Sequence, residues 1–195
     1  MKRSTLVFFF SAAIAGACTL GACNNGAQSN NQDSVDSAKN MNDTSATAMM
    51  VDEMDSKFAV NAADIGMAEV EMGKTAEQKA MNAKIKSFAS MMVMDHTQAN
   101  EELKSAAAAK NITLPAAIGE DHQEHLTKLS QKTGRDFDKE YIDMMVDGHK
   151  KAIDLFEKEA SDGKDADLKT WAANKLPTLR QHLDSAKAIR DMIKK

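Results

Sequence analysis

Cysteine is almost missing from this chain: of 195 residues only two are cysteine, and both, Cys18 and Cys23, fall within the first 23 positions. Any folded part is therefore free of thiols. This excludes thiolate metal sites, cysteine nucleophiles and redox pairs together. An excess of positive charge is missing too. With 25 basic against 29 acidic residues and a net charge of −4, there is no field to gather phosphates, and nucleic acid is not an expected partner. No run of alternating β-branched residues suggests a strand. There is no Gly-rich phosphate loop, no Gly-x-Ser-x-Gly elbow and no His-Glu-x-x-His pair, so nucleotide and hydrolase readings have no residues to rest on.

What is present begins with an address. Residues 1–22 read as an export signal: Lys2 and Arg3 start it, Leu6 to Ala17 form an apolar run too short to remain as a membrane span, and small residues follow. The segment ends Leu20-Gly21-Ala22-Cys23, which resembles the bacterial lipobox, whose Cys thiol is diacylated and becomes the first mature residue. Ala15-Gly16-Ala17-Cys18 fits less well because it lacks the large apolar residue three places before the Cys. Lipid chains on Cys23 predict a protein tethered to the bacterial envelope, its partner being the membrane itself. Asn24 after the Cys points to the outer membrane, facing the periplasm, by the sorting rule of enteric bacteria. Residues 23–51 are rich in Asn, Gln, Ser, Asp, Thr and Ala with no Phe, Trp, Tyr, Leu or Ile, and this composition predicts a flexible spacer.

From residue 52 the pattern becomes helical. Apolar residues recur every three or four positions over roughly 54–76, 82–110, 137–160 and 167–193, and a shorter helix is expected over 120–131. Pro115 follows a helix break, and Pro177 predicts a kink inside the last helix. The expected fold is all-α: a ferritin-like four-helix bundle with a short extra helix in the crossover, occupying residues 52–195. One pattern occurs twice. Phe88, Met91, Met92, Val93, His96, Ala99 and Leu103 reappear as Tyr141, Met144, Met145, Val146, His149, Ala152 and Phe156, each offset by 53.

A histidine thus stands in the middle of two apolar stripes, and Glu69 and His182 interrupt the other two. At about 1.5 Å rise per residue, mid-helix residues of an antiparallel bundle share a height, so Glu69, His96, His149 and His182 can converge in one layer. Imidazoles and a carboxylate suit one transition-metal ion such as zinc, iron, manganese or copper. Asp95 and Asp147 are the flanking acids expected to orient the imidazoles. The competing reading makes the four residues an ordinary hydrogen-bonded part of the core, in a structural or partner-binding module without metal. A dinuclear iron centre is not supported, since it needs Glu-x-x-His on two helices and the residues three before these histidines are Val93, Val146 and Leu179. The methionines 91, 92, 94, 144 and 145 read as core filling before they read as soft copper ligands. His122 and His125 on the short helix are expected to be exposed, with no assigned role. No reaction is legible.

In their order, several short motifs resemble the bacterial domain-of-unknown-function family 4142: Phe58 with Ala62-Ala63, Ala68-Glu69-Val70, Phe88-Ala89, Met92-Val93, Asp95-His96, Leu114-Pro115, Phe137-Asp138, Tyr141, Met145-Val146, His149, Leu176-Pro177 and His182-Leu183. The resemblance implies an exported bundle of the ferritin-like kind with no established activity. It also implies a shared role for Glu69, His96, His149 and His182, which fall on the family's motif positions.

Overall fold

A computed structural model describes residues 33–45 and 51–194. The export signal, Cys18, Cys23 and the spacer residues up to 32 lie outside the described residues. Within them there are six helices: α1 (Ser34–Ser45), α2 (Glu53–Lys79), α3 (Ala83–Ala109), α4 (Glu120–Gln131), α5 (Gly134–Asp162) and α6 (Ala166–Ile193). The expected all-α bundle is present: α2 packs on α3 and α5 on α6, with α2–α5 and α3–α6 contacts joining the two hairpins. No described helix is long and apolar enough to cross a membrane.

The helix ends follow from local chemistry. Asp52, Asn82 and Asp165 each accept a hydrogen bond from a first-turn amide of α2, α3 and α6, respectively. At the end of α3 the chain reverses through Asn111 at φ 57°, with Ile112 N–H donating to the Ala107 carbonyl and Ile112 buried beneath. The α6 helix continues unbroken through Pro177.

Each tight turn is held by a buried aspartate from the other hairpin. Asp138 on α5 accepts from the amides of Met81 and Asn82, both at 2.9 Å, and Asp55 on α2 accepts from those of Lys164 and Asp165, both at 2.8 Å. The two hairpins are thereby locked end to end, with the mid-helix residues at a fixed common height.

The flexible spacer expected over residues 23–51 requires correction at α1. Val35 and Ala38 bury against Val60 of α2, a small apolar contact. The rest of the docking is polar, and composition does not register it. The Asn42 side chain donates to the Thr113 carbonyl at 3.0 Å and accepts from the Thr113 amide at 2.8 Å, while Ser34 Oγ accepts from the amides of Ala116 and Ala117. These contacts satisfy backbone groups of the α3–α4 crossover that would otherwise face only water.

Candidate metal centre

The four seam residues meet in the middle of the bundle. Glu69 comes from α2, His96 from α3, His149 from α5 and His182 from α6, and all four are buried. The ring centroids of the histidines form a near-equilateral triangle with sides of 5.3, 5.4 and 5.6 Å. One nitrogen from each ring lies within 4.8 Å of the other two.

The hydrogen bonds decide which nitrogens are free. His149 Nδ1 stands 2.9 Å from the Met145 carbonyl oxygen, which can only accept, so the proton is on Nδ1 and Nε2 carries a lone pair. His182 Nε2 lies 2.9 Å from Asp95 Oδ2, which likewise calls for the proton on Nε2 and leaves Nδ1 with a lone pair. Those two lone-pair nitrogens face each other at 3.3 Å. Neutral imidazoles in these tautomers have no hydrogen to share between them. The third ring adds another free donor, since His96 Nε2 is buried without a partner.

Glu69 stands beside this triangle rather than in it. Its Oε2 is 3.0 Å from His96 Nδ1 and its Oε1 is 3.3 Å from His149 Nδ1, but both approaches are off the N–H direction and both oxygens lack a hydrogen bond. The expected tetrad is therefore a triad of histidines with a carboxyl group against its flank. Burial pushes the Glu69 carboxyl up to about 8. Burial and the two neighbouring imidazoles hold His96 well below the ordinary histidine range. For His149, burial and then His182 lower the value to about 4, against the opposing pull of the Met145 carbonyl. His96 and His149 are accordingly neutral at pH 7, the form in which imidazole binds metal.

The two acids expected beside the imidazoles part company. Asp95 does orient a ring, but that of His182 on α6 rather than its neighbour His96. Asp147 does not: its side chain is 68% exposed and pairs with Lys150. Residues one or two apart on a helix point in different directions, so sequence adjacency was a poor guide to which ring an acid would serve. Met92 and Met145 are core residues, Met91 and Met144 pack against the core, and Met94 is exposed. Of the two histidines expected to be exposed on α4, His125 is exposed and His122 is only half-exposed. Its Nδ1 lies 2.8 Å from Oδ2 of Asp64, a partner 58 residues away that no local pattern signals.

Beside His96 and His182 a cavity of about 170 Å³ opens, lined also by Asn100, Thr178, Trp171 and Lys175. Three imidazoles leave one position of a four-coordinate ion free, and this cavity could supply its ligand.

Comparison with known proteins bears on fold and family. Residues 40–189 match the family model described as Domain of unknown function (DUF4142). Among solved structures, the chain is similar to a DUF305 fragment from Deinococcus radiodurans, with TM-score 0.66 and 9% identity over 73% of this chain and 98% of that one. It is also similar to CopM in the Cu(II)-bound form, with TM-score 0.61 and 17% identity over 70% of this chain and 95% of that one. At these identities the likeness is one of fold. No curated protein matches the chain.

Proposed function

The chain belongs to the DUF4142 family, whose description assigns no activity, and from that premise we propose that it is an envelope lipoprotein that binds one transition-metal ion in its helical core. Cys23 carries the lipid anchor, in the outer membrane with the bundle in the periplasm. His96, His149 and His182 hold the ion; Asp95 orients the ring of His182 and the Met145 carbonyl that of His149, with Glu69 against the flank.

The observation that carries the metal reading is the 3.3 Å separation of His149 Nε2 and His182 Nδ1. Two ligand nitrogens at roughly 2.0 to 2.1 Å from a tetrahedral ion stand about 3.3 Å apart. The spacing that is unfavourable for two bare lone pairs is thus the edge of a coordination tetrahedron. The unpartnered Nε2 of His96 is the candidate third corner; one nitrogen of each ring lies within 4.8 Å of the other two, so the triad draws in by about an ångström or more to close on an ion. The all-nitrogen donor set suits zinc or copper, and the bundle of similar fold described in a Cu(II)-bound form is in keeping with copper.

A second reading rests on a specific observation: His149 Nδ1 and His182 Nε2 each have an acceptor of their own, as in a structural core. An additional proton on His182 would then bridge the two rings. Elemental analysis of purified protein, with and without added Cu(II) or Zn(II), separates the two. The metal reading expects about one ion per chain and a rise in thermal midpoint, both lost in His149→Ala. Protein that takes up neither ion, and whose melting is unmoved by them, is the structural module instead.

A further inference from the structure

Glu69, buried and with neither carboxyl oxygen hydrogen-bonded, lies between two hollows. One is the cavity shared with His96 and His182; the other is a larger groove, about 680 Å³, between α2, α4 and α5. The groove is walled by Asp64, His122, His125, Glu140, Asp143 and Met144. Its acids, with Asp147 at the rim, outnumber its two lysines, Lys128 and Lys151. A concave surface of this charge concentrates cations. The opposite cavity is less acidic, with Glu69 and Asp95 against Lys175 and with the apolar rings of Trp171 and Phe156 in its lining.

Within the groove α4 presents two imidazoles. His122 and His125 are three residues apart, hence on one helix face, with ring centroids 6.2 Å apart. The bond from His122 Nδ1 to Asp64 at 2.8 Å fixes that ring and leaves its Nε2 as a lone pair. This is the same carboxylate–imidazole device that Asp95 and His182 form inside the core. Deeper in, Gly148 keeps the floor open: a Cβ there would stand 3.9 Å from Glu69 Oε1, and any longer side chain would fill the gap.

We propose that this groove is the capture site and uptake route for the metal ion. His122 and His125 bind an arriving divalent transition-metal cation, the surrounding carboxylates hold it near the surface, and Glu69, giving up its proton to solvent in the groove as the cation arrives, passes it to the triad behind. The proposal rests on the metal reading of the triad. It adds a transient outer capture point, emptied as the ion moves inward, and a direction of travel.

The test is the rate of loading. Trp171 is the chain's one tryptophan and lines the inner cavity with His182, so Cu(II) reaching the triad quenches its fluorescence. Stopped-flow mixing of purified protein with Cu(II) measures this directly, and loss of the quench in His149→Ala shows that it reports the inner site. In His122→Ala/His125→Ala, and separately in Gly148→Leu, loading should slow by about tenfold or more at low ionic strength, with the same final quench and one ion per chain. Loading of the double histidine variant at the wild-type rate would overturn the route while leaving the triad in place. Wild-type protein that binds no Cu(II) removes both.

Discussion

Each imidazole of the triad commits one nitrogen outward or to the flank and keeps another toward the centre. The outward partners differ: a backbone carbonyl for His149, a carboxylate for His182, an off-axis carboxyl for His96. Of these the Asp95 bond is the one a single side-chain change can remove without disturbing the core, because Asp95 is partly exposed while His182 is 1% exposed. Asp95→Asn keeps the size and loses the charge that fixes the His182 tautomer. The expected result is metal affinity weakened by about 10- to 100-fold in competition titrations, with the stoichiometry unchanged. An Asp95→Asn protein that binds as tightly as wild type would mean that His182 needs no outer partner, and the assignment of its inward nitrogen would lose its basis.

The helices themselves were legible because burial on one side of a rod writes a 3.6-residue period into the sequence. Phe88, Met92, His96, Ala99 and Leu103 carried that signal, and the common height of the seam histidines followed from helix rise alone. What joins the helices left no such trace. Asp55 and Asp138 look like ordinary surface acids in the sequence, yet each is buried and closes the turn of the opposite hairpin. The docking of α1 was illegible for the same reason, since Asn42 and Ser34 act through the backbone of residues 113–117 rather than through apolar area. At the α5–α6 turn this polar architecture has a consequence for pH. Glu159 is buried against Gly163, where a Cβ would fall 2.8 Å from its Oε1, and neither carboxyl oxygen has a hydrogen-bond partner. Burial first, then the charge of Asp55, raises Glu159 from the ordinary value of 4.5 to about 8. The folded protein therefore holds a proton that the unfolded chain has released. This contribution to stability is complete below about pH 4.5 and is lost as pH rises through about 8. Glu69, raised in the same direction, adds a parallel loss in metal-free protein. In Glu159→Gln the neutral amide has no proton to lose, so the denaturant midpoint should fall less between about pH 5 and about pH 9 than it does in wild type. Equal falls in the two proteins would show that Glu159 is not held protonated.

At the scale of the whole molecule, the bundle supplies rigidity and the N-terminal segment carries the proposed address. The proposed inner site uses buried imidazoles in a protein without thiols outside its first 23 residues, a donor set that oxidation cannot convert to disulfide. That choice suits an oxidising compartment such as the periplasm. The sequence Leu20-Gly21-Ala22-Cys23 is the basis for proposing that compartment, and α1 begins only eleven residues after Cys23. Eleven residues reach at most about 36 to 40 Å when fully extended, so a lipid on Cys23 would hold the bundle close to the membrane surface. Anchoring by more than one acyl chain is stable, whereas the described helices offer no span of their own. Cys23→Ser, expressed in the native host or in an enteric bacterium, should move the protein from the outer-membrane fraction to the soluble periplasmic fraction. It should also remove its labelling by a fatty-acid precursor, while the purified variant still binds one metal ion with wild-type affinity. A Cys23→Ser protein that continues to sediment with membranes would refute the anchor and leave Cys18, or a protein partner, as the means of attachment; the double variant Cys18→Ser/Cys23→Ser distinguishes these two.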